Sequence, residues 1–208
     1  MPASVLLDAA TLARTVQRLG AEIEADHPDG VLLIGVLKGA LIFVADLSRQ
    51  ILGVPVEFDF MSISRFAPDS GRVKILQDLS TDIGGRDVVI VEDIVDTGLT
   101  LAYLTAQLET RGPRMVSSCA LLDRPGRRIV PQEVRYRGVE LGDEFVLGYG
   151  LHVNDLYRNL QYVAAGERSE LLEAPDCYVR DLYQVAERAS RPGGSVPAGP
   201  PDIETEAR

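Results

Sequence analysis

Two apolar runs constrain this chain more than any other feature in it. Val31-Leu32-Leu33-Ile34-Gly35-Val36-Leu37 and Val88-Val89-Ile90-Val91 carry no polar side chain. A strand with one wet face alternates apolar and polar residues, so these runs predict strands buried on both faces. Each falls far short of the roughly 20 residues of a membrane span, so the cover on both faces must be protein. Helical spacing supplies that cover. Leu12, Val16, Leu19 and Ile23 recur at intervals of four, three and four, predicting a helix over 9–25 behind an Asp8 N-cap. Further helices are predicted over 39–52 and 98–110, the last stopped at Gly112-Pro113.

The remaining strand signals are 56–63, 73–79, 115–122, 134–140, 145–149 and 162–165. Strands separated by helices of this length predict an α/β fold, a mostly parallel twisted sheet flanked by helices. Residues 64–73 hold Pro68, Asp69, Ser70 and Gly71 and read as a mobile loop. From Ser190 onward the chain has four of its twelve prolines and almost no large apolar side chain, so 190–208 is expected to be a disordered tail behind a single domain, 1–189.

Charge and cysteine content exclude several classes of function. A net charge of −10 argues against a protein that tracks nucleic-acid phosphates, which needs a basic face. No stretch suits a bilayer, and the first residues lack the basic start of a secretory signal, so a cytoplasmic protein is expected. Cys119 and Cys177 have no ligand-like spacing and read as inert thiols. Of the 21 cationic residues only Lys38 and Lys74 are lysines. A lone arginine in such a chain is therefore a weak signal.

Chemistry concentrates where the second apolar run ends, at Glu92-Asp93-Ile94-Val95-Asp96-Thr97-Gly98-Leu99-Thr100. Ligands of open α/β sheets bind beyond the carboxyl ends of strands, where three carboxylates must face something cationic or hydroxylated. The turn into the next helix has the parts of a phosphate site. Gly98 permits close backbone approach, Thr97 and Thr100 carry hydroxyls, and a helix N-terminus directs N–H groups outward. The alternative is that Glu92, Asp93 and Asp96 cap a helix and stay solvated. There is no G-x-x-x-x-G-K-[ST] sequence, so this is not a P-loop.

This stretch resembles the phosphoribosyl-pyrophosphate (PRPP) signature of type I phosphoribosyltransferases, and the chain from Val31 to Leu160 is similar to the hypoxanthine-guanine phosphoribosyltransferases. Four motifs carry the likeness in order: Leu37-Lys38-Gly39, the Val88 to Thr100 segment, Leu122-Asp123-Arg124-Pro125, and Asp143 to Gly150 with Leu156-Tyr157-Arg158-Asn159-Leu160. The resemblance implies the type I phosphoribosyltransferase fold with a small hood formed by chain-terminal segments. It implies transfer of 5-phosphoribosyl from PRPP to a purine base, with Mg2+ required and a homodimer or homotetramer as the assembly. Glu92 and Asp93 would hold the ribose hydroxyls and the metal-bound donor. Asp96 would act as general base at the imidazole edge, and Asp96, Thr97, Gly98, Leu99 and Thr100 would cradle the 5-phosphate. Leu37, Lys38 and Gly39 would bind pyrophosphate, with Arg158 as a second cation. Phe145 would stack on the purine and Val146 would offer its backbone to the purine edge.

Three departures from the family pattern bear on the base. Arg124 stands where the family has Lys, His152 where it has Asp, and Arg65-Phe66 where the closing loop has Ser-Tyr. A fork replaces a point charge at Arg124, and an imidazole cannot supply the carboxylate charge at His152. The donor half of the signature is intact while the base half is altered. Three readings therefore stay open: a hypoxanthine enzyme, an enzyme for a different base, and a non-catalytic PRPP or nucleotide binder.

Overall fold

The computed structural model describes residues 3–64 and 74–189. The expected closing loop, with Arg65 and Phe66, and the expected tail lie outside the described residues. In chain order the elements are β1 (Ser4–Leu7), α1 (Ala9–Asp26), β2 (Val31–Val36), α2 (Leu41–Ser48), β3 (Val56–Ile63), β4 (Ile75–Gln77), β5 (Asp87–Val95), α3 (Leu99–Glu109), β6 (Met115–Asp123), β7 (Tyr136–Glu140), β8 (Phe145–Leu147), β9 (Val163–Gly166), α4 (Arg168–Glu173) and α5 (Val179–Ala189). Among these elements no helix is long and apolar enough to cross a membrane. The chain divides into two compact units, one of Ala13–Asp143 and one of Met1–Leu12 with Glu144–Arg208.

The larger unit is built on a six-stranded sheet in the order β4-β3-β2-β5-β6-β7, parallel throughout except for β4 against β3. All six residues of β2 are buried, as are the first six of β5, which is what uninterrupted apolar runs require. Successive side chains of a strand point to opposite faces. Leu32, Ile34 and Val36 join a core with Leu101, Leu104 and Leu108 of α3. Gly35 faces the other way, where a Cβ would meet Val44 of α2 and the Phe60 ring at 2.8 Å. Helices thus cover both faces. The thiol of Cys119 is buried inside this unit, and burial raises its pKa, which agrees with an inert core residue.

Strand order places the site. From β2 the chain steps to β3 on one side, then returns to put β5 on the other side of β2. The carboxyl ends of β2 and β5 therefore flank a switch point, the crevice where open α/β sheets take their ligands.

The smaller unit pairs β1, β9 and β8 antiparallel, bringing residues 4–7 and 145–166 of the chain into one sheet. Its core holds Leu147, Tyr157, Leu160, Tyr162, Leu171, Tyr178 and Leu182. Asp8 accepts the Thr11 N–H at 2.7 Å and so caps α1, as its position in the sequence predicts.

Candidate active site

β5 runs four residues further than its apolar stretch, ending at Val95 rather than Val91. Pairing explains the extension: Glu92, Ile94 and Val95 lie opposite Ala120, Leu122 and Asp123 of β6, and the ladder carries two acids that would not choose a strand alone. Glu92 is 6% exposed, and its Oε1 is buried with no hydrogen-bond partner. Burial, reinforced by the neighbouring Asp93 charge, pushes the Glu92 carboxyl well above the ordinary glutamate value. Asp93 accepts the Ile94 N–H at 2.9 Å and packs against Gly39, where any Cβ would run into its carboxylate.

Leu37, Lys38 and Gly39 follow β2, with the Leu37–Lys38 peptide in cis and Lys38 exposed. The glycine contact brings this turn against the acid pair of β5, so two of the four sequence motifs meet in the larger unit.

Past β5 the chain turns through Asp96, Thr97 and Gly98 into α3. Gly98 has φ of 81° and caps the helix without a side-chain hydrogen bond. A Cβ there would come within 2.7 Å of Val130 O and 3.1 Å of Arg128 Cδ, so both the conformation and the space demand glycine. Asp96 is about a third exposed and lies among arginines, with Arg127 Nε 3.2 Å from Oδ1 and Arg124 Nη1 4.0 Å from Oδ2. No hydrogen bond reaches Oδ1; Arg127 is near enough for charge attraction without being aligned to donate. Arg124 itself is only 5% exposed, so the third motif also meets the acids.

Composition masked Arg128, one arginine among many. Its Nη1 donates to Val95 O at 2.8 Å and to Asp96 O at 2.6 Å, and its Nη2 is bound by the fully buried Asp123. Arg137 Nε stands 2.8 Å from the other oxygen of Asp123. Ile129 and Val130 donate their N–H groups to Thr97 O at 2.9 and 3.2 Å. No sequence motif flags the contacts to Val95, Asp96 and Thr97, because those partners are backbone carbonyls.

The remaining candidates belong to the smaller unit. Phe145 and Val146 lie on β8, Val146 buried and Phe145 half-buried, with the Arg168 guanidinium 6.0 Å from the Phe145 ring centre. His152 and Arg158 sit on the strained connection after β8, where Tyr149, Asn154, Asp155 and Tyr157 all have positive φ. His152 Nδ1 accepts the Asp155 N–H at 3.1 Å. A ring accepting through Nδ1 is neutral and carries its proton on Nε2. Arg158 donates to Gly150 O at 2.6 Å and to the exposed Asp155 carboxylate at 2.8 Å.

Comparison with known proteins agrees with this geometry. The phosphoribosyl transferase domain family matches residues 3–154. The hypoxanthine-guanine phosphoribosyltransferase of Mycobacterium avium is 45% identical over 170 residues, covering 77% of this chain and 83% of its own. The hypoxanthine phosphoribosyltransferase of Salmonella typhimurium is 41% identical over 165 residues, covering 76% and 92%. A crystal structure of a Bacillus anthracis hypoxanthine-guanine phosphoribosyltransferase superposes with a TM-score of 0.76 at 38% identity, covering 79% of this chain and 98% of that one. With the PRPP signature carried on the switch point of a parallel sheet, the chain belongs to the hypoxanthine-guanine phosphoribosyltransferase family.

Proposed function

We propose that this chain transfers the 5-phosphoribosyl group of PRPP to an imidazole nitrogen of a 6-oxopurine, with hypoxanthine preferred, releasing pyrophosphate and serving purine salvage in the cytoplasm. The observation that carries this reading is the buried, partnerless Glu92 Oε1 on the strand that leads into the Gly98 turn. A carboxylate that lacks a donor wants hydroxyls or a cation, and a helix start whose cap residue has no side chain to offer its N–H groups wants an anion. A phosphorylated sugar offers both.

Asp96, Thr97, Gly98, Leu99 and Thr100 hold the 5-phosphate. Glu92 and Asp93 face the ribose hydroxyls, while Lys38 and the backbone of Leu37 and Gly39 hold pyrophosphate. Arg158 joins them by exchanging its exposed Asp155 partner, a pair worth at most about 1 kcal/mol. As the bond from ribose C1 to the pyrophosphate oxygen breaks, its electron pair leaves with pyrophosphate and the sugar becomes cation-like. Glu92 and Asp93 offset that charge from fixed positions. The purine nitrogen forms the new bond to C1, and its N–H proton passes to Asp96.

Magnesium, when bound, makes pyrophosphate a better leaving group. Among the described residues no three His, Cys, Asp or Glu side chains converge as a metal cage. Glu92 and Asp93 nevertheless fit an ion of this kind, which takes one or two carboxylates and completes its shell with substrate oxygens and water.

Phe145 stacks on the purine, Val146 offers backbone groups to its edge and Arg124 donates to the 6-oxo group. His152 then presents a neutral ring with its proton on Nε2, which gives the exocyclic amine of guanine no carboxylate. Hypoxanthine, with hydrogen at that position, loses nothing, and this favours it over guanine. A homodimer or homotetramer is the expected assembly, in keeping with exposed Leu41 and Phe58, and light scattering on the pure protein measures it.

The test is incubation with PRPP, magnesium and each of hypoxanthine, guanine, xanthine and adenine, following nucleotide formation. Hypoxanthine should be converted fastest. Turnover of none refutes the enzyme reading, and turnover of adenine alone refutes the base assignment.

A further inference from the structure

We infer that Arg128 is a positioning residue that turns the backbone of the 95–98 segment into the phosphate cradle, an inference that rests on the 5-phosphate reading above. Three successive carbonyls, those of Val95, Asp96 and Thr97, all accept from one segment of the chain. Val95 O accepts from Arg124 N at 3.0 Å and from Arg128 Nη1 at 2.8 Å. Asp96 O accepts from the same Nη1 at 2.6 Å, and Thr97 O accepts from the N–H groups of Ile129 and Val130.

In a trans peptide the C=O and the following N–H point in opposite directions. Drawing three consecutive carbonyls toward residues 124–130 therefore swings the N–H groups of Asp96, Thr97 and Gly98 toward the opposite side. Extended backbone would alternate them. Consecutive N–H groups aimed one way form an anion-binding concavity, completed here by the left-handed Gly98 and the first turn of α3.

Arg128 is the one side chain in this set; both of its terminal nitrogens are bound, while its Nε is buried without a hydrogen-bond partner. Its side chain is 13% exposed and held by Asp123, a carboxylate with no exposure, whose second oxygen faces Arg137. The planar fork is what the job requires: one Nη reaches two carbonyls while the other is held by the acid. A lysine has a single nitrogen and cannot serve the carbonyls from one atom while another is held by Asp123. The positive charge of Arg128 thus acts on the phosphate through oriented backbone dipoles and not by contact.

The test compares two ligands that differ by one phosphate, inosine 5′-monophosphate and inosine, by calorimetric titration of the intact protein. In the wild type the monophosphate should bind much more tightly than the nucleoside. In Arg128→Lys that preference should fall by about tenfold to a hundredfold, the range expected for lost charge-assisted hydrogen bonds, while inosine affinity stays put. A general loss of structure would weaken both ligands alike. Arg128→Gln, neutral and with one donor arm, should fall further than the lysine variant. An unchanged preference in either folded variant overturns the inference, as does failure of both to fold, which would confine Arg128 to stability. A wild type that does not distinguish the two ligands overturns instead the cradle reading on which the inference rests.

Discussion

Replacing Glu92 with glutamine separates what this residue costs the empty protein from what it contributes to the loaded one. Its side chain is buried, its Oε1 has no partner, and burial with the Asp93 charge holds the carboxyl well above its ordinary value of 4.5. A group whose folded pKa is raised adds stability below its unfolded value and loses it as pH climbs through the folded value. Protonated glutamic acid and glutamine are close in shape and charge, so wild type and Glu92→Gln should be about equally stable below roughly pH 4.5. As pH climbs from there toward the raised folded value, the unfolded chain ionises while the buried carboxyl must keep its proton or carry an unpaired charge, so only the wild type loses stability. An unsatisfied buried acceptor costs roughly 1–3 kcal/mol, and a charged one more. The variant should thus be more stable by about 1–3 kcal/mol near pH 8, a gain of several degrees in Tm. Thermal and urea unfolding without substrate, followed by far-UV circular dichroism between about pH 4 and pH 8, measures the gap. The same variant should bind PRPP with magnesium at least roughly tenfold more weakly, having lost a charge-assisted acceptor. A variant less stable than wild type near pH 8, or a gap that does not widen with pH, would refute the reasoning.

The remaining predictions follow from other parts of the structure. Asp96→Asn should leave PRPP binding largely in place while cutting turnover by on the order of 10²-fold; unchanged turnover removes Asp96 from the mechanism. Arg124→Lys combined with His152→Asp should raise guanine turnover relative to hypoxanthine in the four-base assay, and an unmoved ratio means that the base pocket is wrongly mapped. Asp87 is 7% exposed and held at about 2 by the Arg114 guanidinium, with His27 also bonded to it. A lowered folded value adds stability above the unfolded value and loses it in acid, so wild type should exceed Asp87→Asn by about 2 kcal/mol at neutral pH. That gap should close between about pH 4 and pH 2; equal acid sensitivity in denaturant melts of the two proteins counts against it.

The elements that could be read from the sequence are those whose cause is local. Val31–Val36 and the opening of β5 announce themselves because burial on both faces leaves no alternation. Gly98 and its flanking threonines sit at the start of α3 because a turn with φ of 81° selects glycine by sterics alone. What the sequence hides is carried by distant partners. The last four residues of β5 are a strand because β6 pairs with them, and β1 exists because β9, more than 150 positions away, accepts it. His27 sits in a His-Pro-Asp-Gly turn, yet it is wholly buried, with Nδ1 2.9 Å from Asp87 Oδ2 and Nε2 3.0 Å from the Tyr136 hydroxyl. Neither partner is within reach of a local pattern. The four-residue spacing from Arg124 to Arg128 likewise says nothing about carbonyls 32 and 33 positions upstream.

An acidic chain that binds a polyphosphate poses an apparent conflict, which the local structure resolves. Net charge acts through water and falls off within about a Debye length, roughly 8 Å at physiological salt. Hydrogen bonds act at contact. Around the Gly98 turn the nearest full positive charges, Arg124, Arg127 and Arg128, are engaged with Asp96, Asp123 or backbone carbonyls. Their effect is to set the orientation of peptide groups and to neutralise carboxylates that would otherwise repel an anion. In the proposed mechanism Lys38, exposed on the turn that packs against the acid pair of β5, meets pyrophosphate together with Arg158. A lysine there and arginines behind the turn reflect a division of labour. Compact mobile charge suits a leaving group that must depart, while planar forks held in a dry layer suit a backbone that must not move.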